Sequence, residues 1–247
     1  MAYNIGNFGD IRKLDNTDSP VLNLQFNGDL DDSSGNGFDA SRSSGGKDSF
    51  GVTANGLRYL ILDGTSAYKV GNQTALELTG DMTAIVGLCL HYVEHGSSTG
   101  NYQTLIRMRS AGASSANNAL YMAYLAHDNS QVYYPAWYQE HGTQDATNGT
   151  FSDASLGVVQ DGQWFVLAMR RASNVVSFHI NGRKVAESGS LTASTGGTSS
   201  ELWIGETEGN TQRLFGGLNQ LLIYGSALTD AVIADRTHEM IGYLSGT

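Results

Sequence analysis

The stretch NVVSFHINGRKVAE, residues 174–187, decides the fold class that this sequence predicts. Val176 and Phe178 alternate with smaller or more polar residues, and a two-residue apolar period is typical of a β-strand with one buried face. Asn181 and Gly182 follow, and this pair tolerates the positive φ angles of a type I′ turn. We therefore predict two antiparallel strands joined by a tight hairpin turn.

The same alternation recurs on both sides of the hairpin and predicts an all-β domain. VLNLQF at residues 21–26 alternates apolar with polar residues, whereas MTAIVGLCL at residues 82–90 is almost continuously apolar, as in a central strand covered on both faces. Within the hairpin, His179 falls in the polar register and is expected to face solvent. Short strands, frequent turn signals and only 2 prolines indicate a sandwich of two antiparallel sheets, or a barrel.

One short helix is predicted near the C-terminus. Thr229 can cap its first turn, and Asp230 lies near the positive end of the helix dipole. The stripe that follows at helical spacing consists of Ile233, Thr237, Met240, Ile241 and Leu244. A single stripe of this kind predicts a helix that packs over one end or one face of the sandwich.

The first twenty residues are polar and lack apolar periodicity, and Pro20 closes them. We expect residues 1–20 to form an arm, either flexible or docked on a partner, ahead of one β-sandwich domain at residues 21–247. Tyr3 and Ile5 give the arm apolar side chains that favour docking.

Composition excludes several classes of partner. The formal net charge is −10, and no basic group is denser than an adjacent pair such as Arg170 and Arg171, so we expect neither nucleic-acid binding nor attraction to an anionic membrane. We also expect no signal peptide and no transmembrane segment, because no apolar run has the required position or length. The single cysteine, Cys89, excludes an intrachain disulfide and is expected to be a small buried hydrophobe.

The loop at residues 28–39 is rich in side-chain oxygen atoms. The candidate metal ligands are Asp29, Asp31, Asp32 and Asn36. Calcium takes six to eight oxygen ligands, often from such loops, and is the ion expected if this loop holds a metal. The spacing differs from that of an EF-hand, and in the alternative interpretation the same side chains bond to their own backbone in Asx-turns.

Aromatic residues are concentrated in two neighbouring segments where a sugar could bind. They are Tyr121, Tyr124, Tyr133, Tyr134, Trp137 and Tyr138. Alternation puts Tyr133 and Trp137 on one face of their strand and the other two tyrosines on the opposite face, so one pair must lie in the core or in an interface. Tyr102, Trp137 and His141 are the set that we predict to be exposed for carbohydrate binding.

The sequence shows little sign of an enzyme. A glycosidase needs two carboxylates that face each other across a groove. Glu206 and Glu208 are the nearest such pair, and the adjacent Gly209 and Asn210 favour a turn instead. A Gly-x-Ser-x-Gly elbow and a P-loop are both missing from the sequence, so catalysis would require carboxylates distant in sequence to converge.

Several segments, taken in order, resemble those of the laminin-G-like or concanavalin-A-like jelly roll. They are LQFNGDLDDSSGNGFDA, LDGTSAYKVG, ELTGDMTAIVGLCL, DGQWFVLAMRR, SFHINGRKV, LWIGE and FGGLNQLLIYGSALTDAVI. The resemblance spans residues 20–240 and departs from the family at Asn219, where Asp is common. It implies an antiparallel two-sheet jelly roll, a fold that glycan-binding modules, pentraxin-like proteins, glucanases, lyases and virion components share, so function stays open.

Together these observations favour a non-catalytic, surface-displayed binding or structural module, such as a decoration or fibre protein on the surface of a phage virion, with glycan binding. In this interpretation the arm contacts a capsid or tail protein, and the domain contacts surface glycans. An aromatic edge strand would also allow a homo-oligomer. The alternative is a glycoside hydrolase or polysaccharide lyase of the same fold.

Overall fold

The structure, a computed structural model, describes residues 19–44, 48–91, 102–109, 119–127, 133–139, 150–152, 162–193, 201–206 and 213–245. The predicted arm at residues 1–20 lies outside the described residues except for its last two positions, and its boundary stays a prediction. Among the described residues, no helix has both the length and the apolar character that crossing a bilayer requires.

The described elements are numbered in chain order. The strands are β1 Leu22–Leu24, β2 Ala40–Ser44, β3 Phe50–Val52, β4 Arg58–Asp63, β5 Ala67–Val70, β6 Met82–Leu90, β7 Tyr102–Arg109, β8 Ala119–His127, β9 Tyr133–Tyr138, β10 Thr150–Ser152, β11 Trp164–Ala172, β12 Val175–Ile180, β13 Arg183–Ser190, β14 Leu202–Ile204 and β15 Phe215–Tyr224. The helices are a 3-10 turn at Thr74–Leu76 and helix α1 at Asp230–Ser245.

The strands form two antiparallel sheets. The first sheet has 8 strands, in the order β13-β12-β11-β6-β15-β4-β3, with β1 also paired to β15. The second sheet has 7 strands, in the order β10-β9-β8-β7-β14-β5-β2. Apolar side chains of both sheets form one core between them. The prediction of an all-β, antiparallel two-sheet jelly-roll sandwich with a C-terminal helix is confirmed.

Strand β6 lies at the centre of the first sheet, as its apolar sequence predicts. All 9 of its residues are buried, and it pairs with β11 on one side and β15 on the other. The hairpin of β12 and β13 is also confirmed, because Asn181 and Gly182 have positive φ angles of 49° and 83°. The long strands β11, β6 and β15 therefore lie side by side at the centre of the first sheet.

Helix α1 covers one part of the outer face of the first sheet. The Thr229 hydroxyl caps it by accepting a hydrogen bond from the Val232 backbone N–H at 3.3 Å. Buried Ile233 and Met240 pack against the outward side chains of β6 and β11, among them Ile85. The cap and the packing of the predicted stripe on a face of the sandwich are therefore confirmed.

One expectation about this face is wrong, because His179 is fully buried. Asp230, the first residue of α1, lies over it, with its Oδ1 3.8 Å from the imidazole Nε2, and the Ser177 hydroxyl lies 3.2 Å from the same nitrogen. Burial lowers the pKa of His179, although the Asp230 carboxylate acts in the opposite direction. Alternation assigns His179 to the outer face, but it does not show that a helix covers that face.

A buried cation links the two sheets through the core. Arg171 of β11 is fully buried and donates hydrogen bonds to the backbone carbonyls of Gly80 and Leu78, both at 2.6 Å. Its Nη1 donates to Gln139, which follows β9 of the second sheet, at 3.3 Å. The guanidinium lies 5.7 Å from the centre of the Trp137 ring. Burial lowers the pKa of Arg171 to about 10, so the group stays charged at neutral pH.

Candidate functional site

An open pocket of ≈ 150 Å³ lies on the outer face of the first sheet. Its lining residues are Tyr59, Ile61, Leu62, Asp63, Cys89, His91, Trp164, Phe215, Gly216 and Gly217. Helix α1 covers the sheet up to a point beside this pocket. Its Met240 side chain packs over Gly87, and Gly87 and Cys89 are successive outward-facing positions of β6. The outer face therefore has a half covered by the helix and a half that holds the pocket.

A row of residues across four strands forms the base of the pocket. Cys89 pairs with Trp164 on one side and with Gly217 on the other, and Gly217 pairs with Ile61. Residues that pair directly in antiparallel strands point to the same face of the sheet. Since the alternating neighbour Leu88 lies in the core, this row points outward.

Two pairs of aromatic rings form the walls of the pocket. Phe215 pairs with Asp63, and the His91 backbone N–H donates to the Phe215 carbonyl at 3.0 Å. The His91 and Phe215 rings meet edge to face, with centroids 6.0 Å apart and planes at 73°. Tyr59 and Trp164 meet in the same way, with centroids 5.1 Å apart.

Gly217 allows the Tyr59 and Trp164 rings to meet above the sheet. A Cβ atom on Gly217 would lie 2.8 Å from Tyr59 Cδ2 and 3.0 Å from Trp164 Cη2, closer than ordinary van der Waals contact. Its neighbour Gly216 has a φ of 150°, and a Cβ atom there would collide with the Cys89 carbonyl oxygen. Adjacent glycines inside a strand therefore mark a close approach of other groups here.

Asp63 places a fixed negative charge at the rim of the pocket. Its Oδ1 accepts hydrogen bonds from the backbone N–H groups of Thr65 and Ser66, at 2.8 and 2.9 Å, and from the Thr65 hydroxyl at 2.8 Å. Partial burial alone would raise the pKa of Asp63, but these hydrogen bonds outweigh it and lower the pKa to about 2. Arg213 holds the same turn by donating to the Thr65 carbonyl at 2.6 Å.

Of the three residues predicted to bind carbohydrate, Trp137 is the one whose side chain the structure describes. Tyr102 is the first residue of β7, and His141 lies outside the described residues. Trp137 is fully buried; its ring stacks on Tyr121 with centroids 6.1 Å apart, and its Nε1 donates to Gln139 Oε1 at 2.9 Å. The expectation that Trp137 is exposed is therefore wrong, because its strand turns this side chain toward the core.

The division of aromatic residues along β9 into two faces is confirmed. Tyr133 and Trp137 lie in the core between the sheets. Tyr134 and Tyr138 pack with Tyr124 on the opposite face of the second sheet. Alternation thus separated the two sets, and the error lay in which set was assigned to the surface.

A second half-buried tryptophan lies on the outer face of the second sheet. The Nζ atom of Lys69 is 5.7 Å from the centre of the Trp203 ring and 2.8 Å from Glu201 Oε1. This ring is therefore covered by an ion-paired lysine, whereas the Trp164 ring borders a pocket. The two tryptophans have similar exposure and different surroundings, which makes Trp203 a useful control for Trp164.

The acidic loop after β1 forms Asx-turns. Asp32 Oδ1 accepts hydrogen bonds from the backbone N–H groups of Asn23 and Ser34, both at 2.9 Å. Its Oδ2 accepts from the Ser34 hydroxyl at 2.7 Å and from the Phe38 N–H at 3.0 Å. Partial burial would raise the pKa of Asp32, but these hydrogen bonds lower it. Four donors therefore occupy this carboxylate.

Two of the other predicted metal ligands, Asp29 and Asn36, also form hydrogen bonds. Asp29 Oδ1 accepts from the Asp31 N–H at 3.3 Å, and Asn36 Nδ2 donates to the Val21 carbonyl at 2.9 Å. Among the described residues, no group of three or more His, Cys, Asp or Glu side chains is placed to hold a metal ion. These contacts favour the Asx-turn interpretation, and calcium binding at this loop stays a prediction.

Glu206, the candidate carboxylate of an enzyme, is committed to an ion pair. It is buried, and its Oε2 accepts a hydrogen bond from Arg213 Nε at 2.8 Å. Arg213 also donates to the carbonyls of Gly64 and Thr65, so this pair connects the end of β14 to the turn that follows β4. Glu208 lies outside the described residues. The geometry gives Glu206 a structural role.

Comparison with known proteins assigns the chain to a family. Residues 91–234 match a family described as belonging to the Concanavalin A-like lectin/glucanases superfamily. No curated protein matches the chain significantly in sequence.

Solved structures show the same fold at low sequence identity. Domain 4 of AbnA, an extracellular arabinanase from Geobacillus stearothermophilus, in complex with arabinotriose, gives a TM-score of 0.63 at 18% identity, covering 88% of this chain and 97% of that chain. The ligand binding domain of botulinum neurotoxin serotype D, in complex with N-acetylneuraminic acid, gives a TM-score of 0.63 at 14% identity, covering 91% of this chain and 52% of that chain. The binding domain of Paraclostridial Mosquitocidal Protein 1 gives a TM-score of 0.66 at 14% identity, covering 91% of this chain and 53% of that chain. The chain thus spans about half the length of these two toxin domains.

Proposed function

Because the chain belongs to the Concanavalin A-like lectin/glucanases superfamily, we propose that it is a non-catalytic glycan-binding module. We place its binding site in the pocket beside Trp164. The observation that carries the proposal is the Tyr59–Trp164 ring pair, which borders an open pocket that also has Asp63 and His91 in its lining.

The pocket combines the two kinds of contact that a sugar ring makes. The C–H groups of a sugar ring form an apolar face that packs on an aromatic ring, and Tyr59 and Trp164 are both half-buried, with part of each ring in reach of a ligand. Sugar hydroxyls need hydrogen-bond partners, which the Asp63 carboxylate and the His91 imidazole can supply. An apolar concavity with a few convergent polar groups is the usual composition of a ligand site.

Two of the similar structures support this class of ligand. The arabinanase domain was solved with arabinotriose and the neurotoxin domain with N-acetylneuraminic acid. A shared fold does not by itself transfer function. The support from these structures is therefore for saccharides in general, and the site itself rests on the geometry of the pocket.

The catalytic alternative finds less support in the pocket. Glycosidases place two carboxyl groups on either side of the bond that they cleave. Asp63 is the one carboxylate among those lining residues that the structure describes, and Glu206 is held by Arg213. This arrangement supports binding of a glycan over cleavage of one.

We also propose that the module is displayed on a virion, with residues 1–20 in contact with a capsid or tail protein. The support is the polar arm with its apolar Tyr3, Ile5 and Phe8, together with a surface of low charge density. Deletion of residues 1–19 should abolish incorporation into particles while circular dichroism shows the same β-sheet fold. Unchanged incorporation of the shortened chain would contradict the role of the arm.

Isothermal titration calorimetry with arabinotriose tests the glycan site. We expect the wild type to bind and Trp164→Ala to lose about tenfold in affinity, equivalent to about 1.4 kcal/mol, because the stacking surface is removed. Trp203→Ala is the matched control, since it removes a half-buried tryptophan from the opposite sheet. Equal losses in the two variants, or a loss only in Trp203→Ala, would contradict this placement of the site.

A further inference from the structure

We propose that the pocket selects neutral saccharides and rejects sugars that carry a carboxylate, and that Asp63 sets this preference. The inference rests on the proposed glycan site. It states which saccharides the site binds. The pocket would bind neutral arabinotriose more tightly than the carboxylated N-acetylneuraminic acid, and these are the two ligands seen on similar folds.

The described part of the pocket lining carries one acidic residue. Among the described lining residues, Asp63 is the one acidic side chain, and none is a lysine or an arginine. The other polar side-chain groups in this described lining are the Tyr59 hydroxyl, the Cys89 thiol, the His91 imidazole and the Trp164 indole N–H. These residues therefore present hydrogen-bond partners and one anion to a ligand, and none of them is a lysine or an arginine that could pair with a carboxylate.

Arg213, which binds the turn next to Asp63, is already engaged in other contacts. Arg213 holds the turn next to Asp63, but its Nε donates to Glu206 at 2.8 Å and its Nη1 donates to the Thr65 carbonyl at 2.6 Å. Its side chain is only 14% exposed. To pair with a ligand carboxylate, Arg213 would have to break its ion pair with the buried Glu206, which is costly.

Hydrogen bonds keep the Asp63 carboxylate ionised and fixed in position. The hydrogen bonds from Thr65 and Ser66 stabilise the ionised form and hold the carboxylate in place at the rim. An ionised carboxylate accepts hydrogen bonds, which suits the hydroxyl groups of a neutral sugar. A second carboxylate nearby would be repelled, and solvent at this exposed rim screens part of that repulsion.

The size of the pocket is consistent with one ring of such a ligand. Its volume of ≈ 150 Å³ is smaller than pockets for drug-sized molecules, which occupy about 300 to 1,000 Å³. A single sugar unit therefore enters the pocket, and further units of a chain lie outside it. We expect the terminal or side-chain sugar of a glycan to be the part recognised.

The test compares arabinotriose and N-acetylneuraminic acid as ligands for the wild type, Asp63→Asn and Asp235→Asn. Asn at position 63 keeps an oxygen that can accept from Thr65 and Ser66 but removes the charge. Asp235 is an exposed residue of α1, so its replacement changes the net charge by the same amount at another place. Thermal unfolding of each variant establishes that the fold is retained.

We expect the wild type to bind arabinotriose about tenfold more tightly than N-acetylneuraminic acid at low salt, with the difference shrinking as salt screens the repulsion. Asp63→Asn should bring the affinities for arabinotriose and N-acetylneuraminic acid closer together, and Asp235→Asn should leave the ratio of these affinities unchanged. Should Asp63→Asn unfold, the salt dependence of the wild-type affinity ratio still tests the preference for the neutral sugar.

Three results would overturn the inference in distinguishable ways. Equal or tighter binding of N-acetylneuraminic acid by the wild type, or a salt-independent ratio, would remove the selectivity and leave the glycan site standing. An equal response of the ratio to both Asn variants would remove Asp63 as its cause. Binding of neither sugar would overturn the proposed function and this inference with it.

Discussion

Trp137 and Trp164 lie in the same sandwich, but their surroundings differ and give them different roles. Trp137 is fully buried, stacks on Tyr121, lies near the Arg171 guanidinium and donates its indole N–H to Gln139. Trp164 is half-buried and meets Tyr59 beside an open pocket. The comparison teaches that aromatic content alone does not locate a binding surface. What matters is which face of the strand the ring occupies and whether other side chains already cover it.

The largest expected effect in this comparison is on the interior. Trp137→Ala should lower the free energy of unfolding by about 3–5 kcal/mol, because it leaves a cavity between the sheets. Urea denaturation measures this loss, with Trp203→Ala as a control that should cost much less. A loss no larger than that of the control would show that Trp137 is not a core residue and would break the comparison.

Replacement of Arg171, whose guanidinium lies against the Trp137 ring, should have the next largest effect on stability. Arg171→Met should cost about 2 kcal/mol of stability, because the carbonyls of Gly80 and Leu78 lose hydrogen bonds from a charged donor. Its sequence neighbour provides the control: Arg170 forms a partly exposed ion pair with Asp230, and Arg170→Met should cost less than about 1 kcal/mol. Equal losses by urea denaturation would contradict the linking role of Arg171.

The pocket can be tested without removing an aromatic ring. Gly217→Ala should push Tyr59 and Trp164 apart, lower stability by about 1 kcal/mol through overpacking, and weaken arabinotriose binding while both rings are kept. Gly189→Ala is the matched control, because no atom lies within 4 Å of a Cβ at that strand position. Calorimetric binding unchanged by Gly217→Ala would show that the ring pair need not be preserved for binding.

The smallest expected effect concerns the covered half of the outer face. The pKa of His179 is lowered from its ordinary value of 6.5 on folding, so the unfolded chain binds the proton more readily. The contribution of His179 to the free energy of unfolding is therefore fully present above pH 6.5, and it is lost as the pH falls below that value.

Replacement of His179 should remove that dependence. We expect His179→Gln to flatten the curve of unfolding free energy between about pH 8 and pH 5, whereas replacing the exposed His238 with Gln should leave it unchanged. Arabinotriose binding should not follow His179, because the pocket lies outside the part of the face that α1 covers. Loss of stability on raising the pH in this window would contradict the sign of the argument.

Most of the fold could be predicted from local sequence patterns. The two-residue period predicted the strands, the Asn181-Gly182 pair predicted a turn, and the Thr229 cap with its stripe predicted α1. Each of these signals is contained in a few consecutive residues, where local geometry and side-chain periodicity act directly. The family resemblance agrees with the match over residues 91–234.

The candidate site could not be predicted in the same way. Its residues come from β4, the end of β6, the start of β11 and the start of β15, which only the sheet pairing brings together. The Gly216-Gly217 pair was the one local signal, since glycines inside a strand indicate a close approach. Alternation also failed to distinguish the covered face from the open one for Trp137 and His179, because period alone does not show which elements pack on each face.

The acidic loop shows a further limit of composition. Its oxygen atoms suggested a metal cradle, but the backbone N–H groups of Asn23, Ser34 and Phe38 converge on the Asp32 carboxylate. Side-chain composition does not reveal where backbone donors point. Only the folded loop shows that these oxygen atoms accept hydrogen bonds.

The most direct measurement of the central claim is a two-dimensional ¹H–¹⁵N NMR titration with arabinotriose that follows the indole N–H signals. The chain has 3 tryptophans, Trp137, Trp164 and Trp203, so each signal can be assigned by a single substitution. We predict that the Trp164 signal shifts in a saturable way while the Trp137 and Trp203 signals stay in place. A saturable shift at Trp203 with Trp164 unchanged, or no shift at any of the three, would contradict a glycan site in this pocket.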